Sequence, residues 1–235
     1  LMQTRNIIVI GASAGGFEAI KKITANLPAD LPAAVFIVWH IAAEVAGILP
    51  KVINAQQTLP ASNAIDREPI REGHIYVAPP DRHLVLEKGY MRVTKGPKEN
   101  GFRPAVDPLF RSAAFVYGAQ VTGVILTGAL DDGTAGLWYI KQRGGMAVVQ
   151  SPEEAEVPSM PLHAIQEVKV DYVLPLAEIP EILFRLCKEE VPDTEPGSNG
   201  SQHNDKAKKE LEIVTQEKVP PTGTFFGELT PFTCP

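Results

Sequence analysis

The feature that most constrains this chain is an apolar run that breaks into a glycine-rich turn, IIVIGASAGG at 7–16. Four consecutive aliphatic residues predict a strand that is buried on both faces, as in a parallel sheet. Apolar residues then resume at helical spacing over 17–23, so the turn joins a strand to a helix. Ser13 would lie beside the amino end of that helix, where unpaired backbone N–H groups favour negative charge. Such a position is typical of a nucleophile or of a bound anion.

Residues 11–15 fit two functional motifs and one structural interpretation. The segment matches G-x-S-x-G, the nucleophile elbow of serine hydrolases. It also resembles a dinucleotide-binding fingerprint in which Ser13 replaces the middle glycine that lets pyrophosphate approach. Alternatively, Ser13 only caps the helix. The five residues alone do not decide between these interpretations.

The second apolar run, 33–40, ends in Trp39 and His40. A dinucleotide-binding unit needs an acidic residue near this point to bind the ribose hydroxyls. An imidazole is instead the usual general base for a serine hydroxyl, because its pKa lies near working pH. A histidine at a strand end is often structural, but here it would lie at the same edge of the sheet as Ser13.

A third strand, 121–128, opens into the turn ALDDGTAG at 129–136. Sites in parallel α/β sheets form outside the carboxyl ends of the strands, so Asp131 and Asp132 are candidates to orient the imidazole. The alternative is a turn with Asx-type hydrogen bonds and a helix cap. If the site is catalytic, the Ser13 hydroxyl should lie within about 2.6–3.2 Å of one His40 nitrogen, or somewhat farther without a ligand, with an aspartate at the other nitrogen.

Six ordered motifs over about 5–188 resemble the catalytic domain of the bacterial chemotaxis protein-glutamate methylesterases. The first two are the serine turn and the histidine that ends the second strand. The others are YVAPPDRHL at 76–84, FRPAVDPLFRSAA at 102–114, LTGALDDG at 126–133 and the Met-Pro pair at 160–161. Ala129 and Leu130 depart from the family pattern, which has Met-Gly there.

The resemblance implies a role for each matching residue. Ser13 would be the nucleophile, His40 the general base and then acid, and Asp132, which directly precedes Gly133, the orienting carboxylate. The backbone N–H of Ala14 would be the first oxyanion donor and that of Ala129 the second. No metal and no organic cofactor would be needed.

The function implied is hydrolysis of glutamate γ-methyl esters, with deamidation of glutamines, on the helical cytoplasmic region of chemoreceptors. The family usually carries a receiver domain that links it to a histidine-kinase phosphorelay, and we expect any such domain to lie outside this chain. One alternative is a stand-alone serine esterase of related fold in another signalling pathway. The other is a non-catalytic anion- or nucleotide-binding module that uses the turn at 11–16.

Composition agrees with an α/β enzyme of the cytoplasm. The 235 residues, 44% of them hydrophobic, can bury one sizeable core, and strands alternating with helices predict a three-layer α/β/α fold with a mainly parallel, doubly wound sheet. The net charge of −6 argues against nucleic acid. No apolar run of about 18 residues predicts membrane insertion. Two cysteines, Cys187 and Cys234, form neither a disulfide framework nor a closed metal site.

The chain divides by composition into a catalytic domain at 1–192 and a polar linker with a truncated tail at 193–235. We expect this tail to be loosely packed, with one short helix over 207–218. Cys234 would begin a Cys-x-x-Cys knuckle in a longer chain. Within the domain we predict a hairpin over 84–93. Three other polar residues of the domain, Arg103, Arg111 and Ser112, are candidates to line the cleft. The alternative is that they cap the amino end of a helix and face solvent.

Overall fold

The computed structural model describes residues 2–40, 47–192 and 202–215. The strands are β1 Met2–Thr4, β2 Ile7–Ala12, β3 Ala34–Trp39, β4 Ala61–Asn63, β5 His74–Val77, β6 His83–Glu87, β7 Tyr90–Thr94, β8 Val121–Ile125, β9 Met146–Gln150, β10 Tyr172–Leu174 and β11 Glu190–Pro192. The helices are α1 Gly16–Ala25, α2 Ile48–Ala55, α3 Val106–Tyr117, α4 Thr134–Gln142, α5 Ser159–Glu167, α6 Ile179–Leu186 and α7 Gln202–Thr215, and a 3₁₀ turn spans Gly118–Gln120.

Seven strands form one central sheet in the order β10-β9-β8-β2-β3-β5-β4. Every neighbouring pair in it is parallel. The first of these strands in the chain, β2, lies between β3 and β8, so the chain winds outward from β2 in two directions. Ligands bind at such a switch point, outside the carboxyl ends of the strands.

Two apolar clusters cover the two faces of the sheet, which explains why its strands read as continuous hydrophobic runs. Along β2, Ile7 and Val9 belong to one cluster, which also contains apolar residues of α3, α4 and α5. Ile8 and Ile10 belong to the other, with α1, α2 and α6. The expected α/β/α layering with a doubly wound sheet is confirmed.

Two small antiparallel sheets complete the domain. The hairpin predicted over 84–93 is present as β6 and β7. The other sheet pairs β1 with β11, so that Gln3 lies opposite Val191 and the two ends of the domain meet. No helix among the described residues is both long enough and apolar enough to cross a bilayer.

The described part of the chain beyond 192 differs from the expected loose tail. Helix α7 begins at Gln202, five residues before the predicted start at 207, and runs to Thr215. Val214 is buried, and its carbonyl accepts a hydrogen bond of 2.8 Å from the Thr94 hydroxyl. An apolar anchor and a backbone hydrogen bond therefore hold this helix against β7. The polar linker is predicted over 193–205, so α7 begins within it; the rest of that linker, 193–201, and Cys234 lie outside the described residues.

Candidate active site

A cleft of about 540 Å³ opens at the carboxyl ends of the central strands. The residues that line it come from the turn after β2, from α1, from the end of β3 and from two loops: Ser13, Ala14, Gly15, Phe17, Glu18, Trp39, His40, Phe102 and Glu156. The structure therefore places Ser13 and His40, 27 positions apart in the chain, on one cleft.

Backbone hydrogen bonds hold the turn that carries Ser13. Its N–H donates to the Thr127 carbonyl at 3.0 Å and its carbonyl accepts from Gly16 N–H at 2.9 Å. The Trp39 indole N–H donates to the same carbonyl at 3.0 Å. The N-cap of α1 is Gly15, and no side chain caps the helix. The interpretation of Ser13 as a helix cap is therefore wrong.

Two glycines let the chain pass close to Ser13. Gly15 has φ of +75°, a left-handed conformation that side chains disfavour. A Cβ on Gly128 would lie 2.8 Å from the Ser13 Cβ and closer still to the Met160 sulfur. The loop after β8 can approach the serine only because this position has no side chain.

His40 and Asp132 form a buried pair. The imidazole Nε2 lies 2.7 Å from Asp132 Oδ2, and the two side chains are 5% and 0% exposed. The Phe102 ring stacks on the imidazole, with 3.7 Å between centroids and 9° between planes. The backbone N–H of His40 donates to the Ala12 carbonyl at 3.0 Å. The ring is thus fixed by a carboxylate, an aromatic face and the neighbouring strand.

The surroundings of Asp132 favour its charged form. Its Oδ2 also accepts from Val106 N–H at 2.6 Å, and its Oδ1 accepts from the Asn100 amide at 2.8 Å. Burial alone would raise its pKa, but the hydrogen bond and charge of His40, with the other two donors, hold the pKa of Asp132 below its ordinary value. Asp131 is exposed and offers its carbonyl, not its carboxylate, to Thr134. Asp132 is therefore the carboxylate that faces the imidazole, and neither side chain caps α4.

The expected hydrogen bond between the Ser13 hydroxyl and His40 is not formed in the described part of the chain. The imidazole Nδ1 is buried and has no hydrogen-bond partner there. Since Nε2 faces Asp132, Nδ1 is the nitrogen available to accept a proton. Catalytic hydrogen bonds are often long in unliganded enzymes and shorten when substrate binds.

Backbone N–H groups are available where an oxyanion would form. Within the described residues, neither Ala14 N–H nor Ala129 N–H donates a hydrogen bond to the protein. Ala14 lines the cleft next to Ser13, and Ala129 follows Gly128, which touches the serine turn. Ala129 is not among the described residues that line the cleft, and the role of both N–H groups as oxyanion donors stays a prediction.

Sequence reasoning missed three residues around the pair. Asn100 and Phe102 lie in the loop before α3, and Asp107 lies in its first turn. The Asn100 amide bridges Asp107 Oδ2 and Asp132 Oδ1 at 2.8 Å each. Burial and then the charge of Asp132 raise the pKa of Asp107 to about 8. The available signal was that Asp107 and Phe102 stand inside the motif at 102–114 and that Asn100 lies two residues before its start.

The expectations for Arg103, Arg111 and Ser112 need correction. None of them lines the cleft, and Arg111 and Ser112 are fully buried instead of facing solvent. Arg111 forms a two-pronged pair with Glu99, at 2.6 and 2.8 Å. The Ser112 hydroxyl accepts from Leu86 N–H at 2.9 Å. These groups are buried because each has a partner there.

A second serine–histidine pair lies elsewhere on the sheet. The Ser62 hydroxyl, on edge strand β4, is 2.9 Å from Nε2 of His74 on β5. No carboxylate among the described residues hydrogen-bonds that imidazole. The described residues also contain no group of three His, Cys, Asp or Glu side chains arranged to hold a metal ion.

Comparison with protein families gives one match, to the CheB methylesterase family over residues 8–183. A protein of Leptospira interrogans is 43% identical over 180 residues, which are 76% of this chain and 93% of that protein. The protein-glutamate methylesterase/protein-glutamine glutaminase of Hydrogenovibrio crunogenus is 38% identical over 189 residues, 79% of this chain but only 50% of that protein.

A solved structure has the same fold. The crystal structure of the Thermotoga maritima CheB methylesterase catalytic domain superimposes with a TM-score of 0.74 and 36% sequence identity. The match covers 77% of this chain and 98% of that one.

Proposed function

The chain belongs to the CheB methylesterase family, and we propose that it hydrolyses glutamate γ-methyl esters of chemoreceptors through a Ser13–His40–Asp132 triad. The observation that carries this proposal is the buried His40–Asp132 pair beside a serine on a strand-to-helix turn. A module that only binds anions would need the turn but neither the imidazole nor the carboxylate. This difference favours the enzyme over the binding module.

Hydrolysis would proceed in two halves. In the first, Ser13 Oγ attacks the ester carbonyl carbon while His40 Nδ1 takes the hydroxyl proton. The tetrahedral oxyanion accepts hydrogen bonds from Ala14 N–H and Ala129 N–H. When the C–O bond to the methoxy group breaks, His40 returns the proton and methanol leaves.

In the second half, water replaces the serine. His40 takes a proton from the water, whose oxygen attacks the acyl carbon, and the bond to Ser13 Oγ breaks as the serine is reprotonated. The product is the glutamate side chain. With a glutamine substrate the same steps release ammonia, which is the chemistry that the names of the relatives imply. Asp132 stays charged throughout and stabilises the imidazolium.

The charges that line the cleft favour the entry of an uncharged ester group. The described lining of the cleft contains two carboxylates, Glu18 and Glu156, and no lysine or arginine. A glutamate product would be repelled by these carboxylates, whereas a methyl ester would not. The substrate is then a methylated side chain on the cytoplasmic helices of a receptor, and regulation by a phosphorelay would come from a receiver domain outside this chain.

Methanol release tests the proposal. Purified chain is added to chemoreceptor that has been labelled in its methyl groups, and volatile label is counted over time. We expect release by the wild-type chain and none above background by Ser13→Ala. Release at equal rates by the two would refute the triad. No release by a folded wild-type chain, with hydrolysis of a small ester retained, would favour the esterase of another pathway.

A further inference from the structure

The loop at 99–102, which we call the bracing loop, touches both members of the buried pair. Paired backbone hydrogen bonds close it: Glu99 N–H donates to the Phe102 carbonyl at 3.1 Å, and Phe102 N–H donates to the Glu99 carbonyl at 2.9 Å. Phe102 stacks on the His40 ring. Asn100 reaches Asp132 Oδ1 at 2.8 Å. One short loop therefore contacts the imidazole and the carboxylate together.

A buried arginine of α3 holds the bracing loop through Glu99. Arg111 is 2% exposed in its side chain, and its guanidinium pairs with both oxygens of Glu99. The same guanidinium lies 3.7 Å from Glu210 of α7. Two-pronged arginine–carboxylate pairs fix orientation as well as distance, so the backbone at Glu99 has a defined place relative to α3.

Asn100 combines a left-handed backbone conformation with a side chain that points inward. Its φ is +52°, a left-handed value that asparagine tolerates better than most residues. The residue is exposed at the surface, yet its amide points inward to two buried carboxylates. The Asp132 Oδ1 atom has one other donor, the Asp107 N–H, at the longer distance of 3.2 Å. Of these two hydrogen bonds to Asp132 Oδ1, the one from the Asn100 amide is therefore the shorter.

We propose that Asn100 is a positioning residue for the reaction: its amide holds Asp132 in place and charged, so that Asp132 can orient His40. This inference rests on the proposed function, since it gives Asp132 a catalytic purpose. The Asn100 amide also donates to two carboxyl groups, those of Asp107 and Asp132, whose surroundings differ. In the described part of the chain Asp132 accepts from four donors including the imidazole, whereas the donors seen at Asp107 are Asn100 at 2.8 Å and Gly136 N–H at 2.7 Å.

Two variants separate the amide from the backbone. Asn100→Gly removes the side chain but keeps φ of +52° without strain. Asn100→Asp keeps the shape and replaces the donor by a carboxyl group, which faces Asp107, Asp132 and His40 and must be protonated to donate. The matched control is Gln57→Gly, at another left-handed position (φ +57°) that is exposed and far from the cleft. Thermal unfolding confirms that each variant is folded.

The readout is the rate at which a fluorophosphonate modifies Ser13, measured from pH 5.5 to 8.5, with methanol release alongside. We expect Asn100→Gly to lower the rate about tenfold at every pH, the size of one hydrogen bond to a charged group. We expect Asn100→Asp to lower it more at pH 8 than at pH 6, because the introduced carboxyl group donates only when protonated. The control should stay within twofold of wild type.

Rates for Asn100→Gly within twofold of wild type would overturn the proposal. So would a deficit in Asn100→Asp that does not change with pH, since a merely structural defect has no reason to follow protonation. Failure of the proposed function looks different: the wild-type chain would be modified at Ser13 but would release no methanol from receptor, and the ratios among the variants would still be readable.

Discussion

Among the described residues, two serine–histidine pairs lie on strands of the central sheet or on the turns that follow them, and in only one of them does the histidine face a buried carboxylate. Ser62 and His74 make the direct hydrogen bond, at 2.9 Å. Ser13 and His40 do not, yet His40 is buried against Asp132 and lies on a cleft beside a helix amino terminus. Ser62 is on the edge strand β4, and His74 begins β5, at the opposite end from its carboxyl edge. The difference suggests a rule that the predictions below can test: a carboxylate behind the histidine and a cleft beside the serine should matter more for nucleophilic activity than one short serine–histidine contact.

We expect the largest difference in activity between alanine variants of Ser13 and Ser62. We expect Ser13→Ala to lower kcat for methanol release by ~10⁴-fold or more, because removing the nucleophile disables the triad as a unit. Ser62→Ala should stay within twofold of wild type. Both are measured on labelled receptor, with circular dichroism as the folding control. A large loss in Ser62→Ala would reverse the comparison.

The next effect separates two adjacent aspartates. Asp132→Asn should lower kcat by about 10³-fold, because an amide at that position favours the wrong imidazole tautomer. Asp131→Asn should have little effect, since its carboxylate is exposed and contacts neither His40 nor Val106. Steady-state kinetics on a small ester give both values. A loss in Asp131→Asn that equals or exceeds that in Asp132→Asn would contradict the assignment.

Acid should weaken the two pairs in different pH windows. Burial lowers the pKa of His74 below 6.5, against an opposing effect of Glu68, so its neutral form is favoured in the folded state. That stability is present above the unfolded pKa near 6.5 and is lost as pH falls below it. The lowered pKa of Asp132 acts in the same direction but in a more acidic window: its stability is present above about 3.8 and is lost only below that.

Urea unfolding between pH 8 and pH 5 tests this difference. We expect the free energy of unfolding of His74→Gln to fall less than that of wild type below pH 6.5. Parallel curves for His74→Gln and wild type would show that burial of His74 does not act through its proton.

The smallest effect concerns backbone strain in the catalytic turn. Leu130 follows the candidate oxyanion residue Ala129, has φ of +65° and is 57% exposed. Leu130→Gly should raise the free energy of unfolding by less than ~1 kcal/mol, because glycine relieves the left-handed strain. Ile65→Gly, at a similarly exposed residue without positive φ, should instead lower it by about 0.5–1 kcal/mol. Equal signs for the two would mean that Leu130 carries no strain.

Much of this site could be predicted because it lies at strand ends. Apolar runs mark β2, β3 and β8, and the residues that follow each run meet at one edge of a parallel sheet. These strand ends indicate Ser13, His40 and the pair of Asp131 and Asp132, and the family resemblance then selects Asp132. The sequence could not indicate which imidazole nitrogen faces Asp132, since that depends on the ring orientation set by Phe102.

Other features depend on contacts that no local pattern carries. Arg111 resembles an exposed helix residue, but Glu99 from the loop before α3 pairs with it in the core. Asparagine is common in turns, so the sequence does not distinguish Asn100 from an ordinary turn residue. Its hydrogen bond to Asp132 depends on the position of the loop over that carboxylate. Helix α7 follows a polar segment, and Val214, the one buried residue among the described side chains at 208–215, is not a sufficient signal for packing.

The most direct test of the account is to identify the serine that reacts. The wild-type chain is treated with a fluorophosphonate, digested, and mapped by mass spectrometry, with His40→Ala and His74→Ala treated in parallel. We predict a single modified peptide that contains Ser13, lost in His40→Ala and unchanged in His74→Ala. Modification at Ser62, or modification of Ser13 that persists in His40→Ala, would contradict the claim that Ser13, activated by the buried His40–Asp132 pair, is the nucleophile.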